Sequence, residues 1–175
     1  GIKIPALNGF RESKYVTEAR SYVEKNFLDN PGDTQDFLHP VTQAQARRRL
    51  KNFVQEKLPF FGDYQDAIAR EHAFCFHSVL SPAINIGLVS PNEVVQEAIE
   101  AGEARRIRIN NLEGFLRQVI GWREFIRAVY LLAGSRQRQS NYWRCHRPIP
   151  RGLYNGNTGI EPVDTVVRRV IRYGY

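Results

Sequence analysis

The stretch Leu112–Gly134, LEGFLRQVIGWREFIRAVYLLAG, decides the fold class. Phe115, Val119, Trp122, Ile126 and Val129 recur at three- and four-residue intervals, so an unbroken α-helix sets all five on one stripe. Asn110-Asn111 supplies its start and Gly134-Ser135 its stop. The same period returns on either side. Residues 12–28 place Tyr15, Ala19, Tyr22, Val23 and Phe27 at helical spacing, ended by Asn30-Pro31-Gly32. Thr42 with Gln45 three residues on forms a capping box for a stripe of Ala46, Leu50, Phe53, Val54 and Leu58, which Pro59 and Gly62 break. Residues 63–76 read as a short helix or helical turn. Ser90-Pro91 opens another helix, with Glu93 in the reciprocal capping position and Gly102 as its stop. Residues 144–161, rich in Pro, Gly and Asn, read as an ordered loop before a last face of Val163, Val166, Val167, Val170 and Ile171. Almost nothing alternates at period two. The expectation is an all-α fold, with 1–175 as a single helical unit.

The bulk numbers bound the partners. The chain carries 25 Lys and Arg against 18 Asp and Glu, a net charge of +7. Arginine supplies most of that charge, and its planar fork suits phosphate. The basic residues cluster at 103–108, 135–147 and 166–172. The middle cluster interleaves Arg136, Arg138, Arg144 and Arg147 with Tyr142 and Trp143, a mixture that fits phosphates and stacked bases better than a merely solvated surface. No apolar run is long enough to span a bilayer, and the opening GIKIPALNGF lacks a signal peptide's layout, so a cytoplasmic protein is expected. Two cysteines, Cys75 and Cys145, make no metal-ligand spacing, and no metal site is expected. Phosphate-loop, dinucleotide-fold, zinc-protease and serine-hydrolase motifs are absent.

Two constellations carry the remaining chemistry. His77-Ser78 and Ser81-Pro82 crowd an imidazole and two hydroxyls around a helix start, where free amides and the helix dipole favour an anion. The alternative is plain capping by Ser81 with His77 hydrogen-bonded in the core. The second constellation is EGFLRQVIGWREF, residues 113–125. There Gln118 and Trp122 share a face at i, i+4 beside Arg123 and Glu124, an amide and an indole able to meet a planar group. The alternative is Trp122 in the core and Arg123–Glu124 as an ion pair.

In this order and separation, the two constellations resemble a known family. HSVLSP…GLVSP is similar to the Thr-Ser-x-Leu-Ser-Pro…Gly-x-Ile-Ser-Pro signature of the photolyase/cryptochrome flavin domain, with His77 in place of threonine. FLRQVIGWREF resembles that family's Trp-Arg-Glu-Phe helix. FGDYQDAI, LEGFLRQVIGWREFIR and NGNTGIEPVD are similar to the bacterial photolyase-related branch, whose members include iron–sulfur bacterial cryptochromes and (6-4) photolyases. The likeness runs from about Ala19 to the end of the chain. Gln118 stands where cyclobutane-dimer photolyases have a glutamate, and one extra residue, Gly121, precedes the tryptophan.

The resemblance implies a partial FAD-binding helical domain. Its antenna domain and C-terminal part would lie outside this chain, whose last helix is still amphipathic at Tyr175. Tyr64, His77, Ser78, Leu80, Ser81, Phe115 and Gln118 match cofactor-binding positions. Gln118 and Trp122 match positions at the reacting lesion, and Trp122 and Arg123, with Arg144 and Arg147 from the basic cluster, are the expected DNA contacts. The implied activity is that of a light-driven DNA photolyase, a carbon-carbon lyase, acting on damaged DNA with FAD and needing no membrane or obligate protein partner. A piece of this length is expected to hold FAD weakly or not at all and to be inactive alone. No iron–sulfur cluster is expected, because Pro162 stands near the family's cysteine position. A cryptochrome-type photoreceptor and a flavin-free helical nucleic-acid-binding module are the alternatives.

Overall fold

The computed structural model describes residues 2–174. It is all-helical, with 59% of residues in helices and no strand among the described residues. The elements are α1 (Lys14–Asn26), α2 (Gln43–Glu56), α3 (Phe61–Tyr64), α4 (Ser81–Asn85), α5 (Pro91–Ala104), α6 (Ile109–Leu116), α7 (Trp122–Gln139), α8 (Arg151–Asn155) and α9 (Glu161–Tyr173). The chain divides into two units. One joins Gly1–Asn8 to His39–Asn141, and the other joins Gly9–Leu38 to Tyr142–Tyr175. The expectation for the chain's end includes Tyr175, which lies outside the described residues.

The first unit holds an apolar core. The α2 stripe Ala46, Leu50, Phe53 and Val54 is buried against Phe61, Leu80, Ala83, Val89, Val94, Ala98, Phe115 and Val119. Phe115 sits between two rings, 4.5 Å from Phe53 and 5.5 Å from Phe61. Thr42 caps α2 by accepting from the Gln45 N–H at 3.2 Å, and Gln45 Oε1 reaches back to the Val41 N–H at 2.8 Å. Pro59 does not end that run. It lies in a 3₁₀ turn, Leu58–Phe60, that leads straight into α3. Gly62 is likewise inside a helix rather than a break. A Cβ there would overlap the Asn110 carbonyl and come within 2.9 Å of the Asn111 amide, so α3 and α6 touch through its absence. Fully buried Asn111 ties the two together, accepting from the Gly62 N–H at 2.8 Å and donating to the Pro59 carbonyl.

Several boundaries differ from the sequence reading for local reasons. Ser90 caps α5 by accepting from the Glu93 N–H at 3.1 Å, but the Glu93 carboxylate accepts from Arg47 Nε at 2.6 Å and does not return to the cap. Gly102 is interior to α5, where a Cβ would press on the Leu112 side chain at 2.9 Å. Gly134 is interior to α7, which continues to Gln139. Residues 63–76 are mostly turns beyond Tyr64, with one isolated bridge between Ala69 and His72.

The largest departure lies inside the deciding stretch. α6 and α7 are joined by a π-turn, Arg117–Gly121, in which the Trp122 N–H donates to the Arg117 carbonyl five residues back. The widened turn absorbs one residue. Each residue after it therefore stands where its predecessor would in an unbroken helix. Phe115 and Val119 are buried as expected, but Trp122 and Ile126 are 58% and 57% exposed.

In the second unit α1, α8 and α9 bury few side chains. Hydrogen bonds and ion pairs do the holding. Asp164 of α9 is buried, and its carboxylate accepts from the Thr158 N–H and hydroxyl, both at 2.7 Å, and from the Gly159 N–H at 3.0 Å. Arg168 donates to the Gly156 carbonyl at 2.8 Å, and Gly156 adopts φ +63°. Arg172 pairs with Asp36 at 3.2 Å. The stretch expected to be only loop thus contains α8, and the αL glycine ends it.

Candidate functional site

α3 is where the two constellations meet. Phe61 lies edge-on to His77 at 6.1 Å and edge-on to Phe115 at 5.5 Å. Tyr64, three residues along α3, stacks on Phe76 at 5.1 Å. Gln65, which follows α3, accepts from Gln118 Nε2 at 3.5 Å. Tyr64, His77, Phe115 and Gln118 are thereby brought around one four-residue helix.

His77 is exposed, so it is not a core imidazole. Ser78 is half-buried, Leu80 belongs to the core and Ser81 is exposed. Ser81 does not cap α4. It is the first helical residue, and the position before it, Leu80, carries no side-chain cap. With five residues α4 is also too short for a substantial dipole, so the helix-start argument fails in that form.

What stands in its place is the loop backbone. Val79 has φ +54°, a conformation costly for a β-branched residue, and Leu80 follows in the right-handed region. Alternation of this kind turns successive amides to one side and forms an anion-binding nest. The N–H groups of Ser78, Val79, Leu80 and Ser81 donate to no acceptor among the described residues. Ser78 and Ser81 are not buried, and the first amides of a helix have no partner within it, so these donors are open to solvent or to an anion.

The residue that shapes this loop was not singled out from sequence. Lys57 is 5% exposed and donates from Nζ to the Cys75 carbonyl at 2.8 Å and to the His77 carbonyl at 3.4 Å. In a trans peptide the C=O and N–H point opposite ways. Holding the His77 carbonyl therefore turns the Ser78 amide away from Lys57. Burial lowers the Lys57 pKa, and the Arg49 charge lowers it further. Its place on the buried side of α2, after Leu50 and Phe53, is the signal that could have found it.

On the other side of the site, Trp122 is exposed and meets Phe125 edge-on at 5.8 Å. Arg123 is half-buried and donates to the Val119 carbonyl at 3.1 Å, so its guanidinium serves its own helix at the π-turn. The Arg123–Glu124 ion pair, the alternative reading, does not form; Glu124 pairs with Arg127 at 3.2 Å.

The basic clusters are not equivalent. In the first, Arg105 donates to the Gln55 carbonyl at 2.9 Å, covering the C-terminal end of α2, and Arg108 pairs with Asp63. In the last, Arg168 and Arg172 are tied as described. In the middle cluster Arg136, Arg144 and Arg147 are exposed and make no ion pair among the described residues. Tyr142 and Trp143 beside them are 79% and 80% exposed. Arg144 and Arg147 belong to the second unit.

No family model matches the sequence. The chain is 35% identical over 166 residues to a (6-4) photolyase of Agrobacterium fabrum, a match covering 95% of this chain and 33% of that protein. It thus spans about a third of that photolyase's length. It is 36% identical over 112 residues to an uncharacterized protein of Acanthamoeba polyphaga mimivirus, covering 63% of this chain and 85% of that protein. Over nearly its whole length the chain is thus similar to part of a (6-4) photolyase.

Proposed function

We propose that this chain is part of the FAD-binding helical domain of a light-driven DNA photolyase of the bacterial branch, acting on pyrimidine photoproducts of the (6-4) type. The observation that carries the reading is the set of four unpaired amides, Ser78 to Ser81, on a loop joined through α3 to Phe115 and Gln118. FAD held by this loop would supply the photoexcited electron for repair. The chain's own residues bind and orient. The amides of Ser78–Ser81, with the Ser78 and Ser81 hydroxyls, hold the diphosphate. Tyr64 on Phe76 forms an aromatic wall beside it, and Phe115 keeps α3 packed. Gln118 offers an amide edge, and Trp122 stacks on a base flipped from the duplex. Arg144 and Arg147 grip backbone phosphates, which makes binding fall steeply with salt. Arg123 supports the helix and is not itself a phosphate contact.

The test uses the full protein that carries this sequence. The expected result is a preparation that binds FAD stoichiometrically and, under blue light, restores an oligonucleotide bearing a (6-4) photoproduct. Bound FAD without repair would favour a photoreceptor. A protein that cannot be loaded with FAD would remove both.

A further inference from the structure

The buried side of the Ser78–Ser81 loop holds a charge that the fold leaves without an opposite. Lys57 is 5% exposed, yet its ammonium meets only main-chain oxygens, the carbonyls of Cys75 and His77, and makes no ion pair among the described residues. Buried charges are ordinarily paired, because two carbonyls offset only part of the desolvation cost of a full charge. The neighbouring groups supply no buried counter-charge. Arg49 on α2 is a second cation, and Glu56, next to Lys57 in sequence, is exposed. The Cys75 thiol donates to the His72 carbonyl at 3.4 Å, and the His77 imidazole is exposed. The route out of the core for this charge is the His77–Ser78 peptide. Lys57 Nζ lies 3.4 Å from the His77 carbonyl oxygen, and across that peptide the Ser78 N–H points the other way. The Ser78 nitrogen is therefore within about 6 Å of Nζ. An ammonium at the carbonyl end of a peptide polarises its N–H end, which makes that amide a stronger donor to an anion.

We propose that Lys57 is a positioning residue for the diphosphate, supplying through the His77–Ser78 peptide the positive charge that the bound anion faces, so that FAD binding depends on the protonation of Lys57. The inference rests on the reading of the Ser78–Ser81 loop as the diphosphate site given above. A single charge pair across such a distance, at an effective dielectric of about 20, corresponds to about tenfold in affinity. Burial, and then Arg49, lower the Lys57 pKa from 10.5 in the free protein, and a bound anion raises it again. Affinity is therefore full below the lowered value and falls as pH rises through it, levelling off once the amine is neutral in the bound state too.

The experiment measures FAD affinity of the full protein by equilibrium dialysis in the dark, from neutral to alkaline pH, for the parent, Lys57→Arg and Lys57→Met. Lys57→Met should be about tenfold weaker than the parent at neutral pH, and the parent should lose about the same factor as pH rises until the two converge. Lys57→Arg, which stays charged, should hold FAD without that loss. Titration of the flavin, of the Cys75 thiol or of His77 would appear in the arginine variant as well, so the difference between the profiles isolates Lys57. A parent that shows no loss relative to Lys57→Arg overturns the inference. So does a Lys57→Met variant weaker than the parent by one factor at every pH, which is what a merely structural support would give. If Lys57→Arg does not fold, convergence of the parent on Lys57→Met decides, and if Lys57→Met does not fold, the parent against Lys57→Arg decides. A parent that takes up no FAD at any pH defeats the diphosphate reading first and this inference with it.

Discussion

Two loops in this chain gather backbone amides in front of a helix, and they differ in what takes the hydrogen bonds. Before α9, the amides of Thr158 and Gly159 are claimed by the protein's own carboxylate, Asp164. Before α4, the amides of Ser78 through Ser81 are claimed by nothing among the described residues, although Val79 and Leu80 are buried. The first loop is complete as folded. The second carries a conformational cost at Val79 and leaves its donors without an internal acceptor among the described residues. An internal acid completes the first loop, and under the proposed function an outside anion would do the same for the second.

Lys57 gives the largest expected effect on this comparison. It is the internal support of the α4 loop, donating to the Cys75 and His77 carbonyls from a buried position. Lys57→Met removes both bonds but also removes a buried cation, so the two terms oppose each other. A net loss of about 2 kcal/mol is expected, because two buried carbonyls then lack a donor. Urea unfolding should register it, with the amides of Thr158 and Gly159 unchanged in hydrogen exchange. The pH dependence adds a second signature. Burial sets the folded-state pKa of Lys57 below its ordinary 10.5, so between those values the unfolded chain binds the extra proton. Stability should therefore rise with pH across that window, and Lys57→Met should flatten the rise. A variant as stable as the parent, with the rise intact, would show that the loop is not held this way.

Acid should separate the two units in sequence, with a smaller effect at each step. His39, in the first unit, is lowered from 6.5 by burial and then by the Arg49 charge. Its contribution is present above pH 6.5 and is lost as pH falls from there through the lowered value. Asp164, in the second, is lowered from 3.8, first by the Thr158 hydroxyl and then by the Thr158 amide, with Gly159 and Arg168 adding to it. Its contribution is present above pH 3.8 and is lost only as pH falls below that. Exchange at core amides of α2 should therefore quicken before exchange at Thr158 and Gly159. Asp164→Asn should speed exchange at Gly159 at neutral pH and abolish the later step while leaving the earlier one. Simultaneous loss at all of these amides would mean that the two regions do not respond separately.

The elements of this fold were largely legible, and the reasons for the misses are local. Periodicity located α1, α2, α5 and α9, and at α2 and α5 a side-chain cap coincided with it. Gly62, Gly102 and Gly134 were taken as stops, yet each sits inside a helix. A glycine that ends a helix and one that admits a neighbour read the same in sequence, and only the close atoms of Asn110 and Leu112 tell them apart. The π-turn was hidden for a related reason, since a count at period 3.6 continues through an extra residue without signalling it. Likeness to a family motif singled out Tyr64, His77, Phe115 and Gln118, and the structure gathers these four around α3. Lys57 was not, because an amine bonded to main-chain carbonyls leaves no partner side chain to look for. The α4 start was read from helix-start amides or a Ser81 cap, but no Ser81 cap forms and the amides of Ser78, Val79 and Leu80 precede the helix.

The smallest effect offers the sharpest test, because it moves one loop's chemistry into the other. Ser78→Asp places a carboxylate two and three residues ahead of the Leu80 and Ser81 amides, the reach of an Asx turn or a helix cap. If those donors lack an acceptor, the new acid should satisfy them as Asp164 satisfies Thr158 and Gly159. The protein should gain about 0.5–1 kcal/mol, the usual worth of such a cap, visible as a higher urea midpoint with an unchanged slope. The same carboxylate should repel and displace a diphosphate, so the full protein should lose FAD while becoming more stable. Stability and binding then move in opposite directions, which a loop defect cannot produce, since a defect lowers both. Ser78→Ala is the control, expected to leave stability nearly unchanged and to weaken FAD only by the loss of one hydroxyl donor. A destabilised Ser78→Asp variant would mean that the amides of this loop do not converge on a common point, and the contrast with the Asp164 loop would fail.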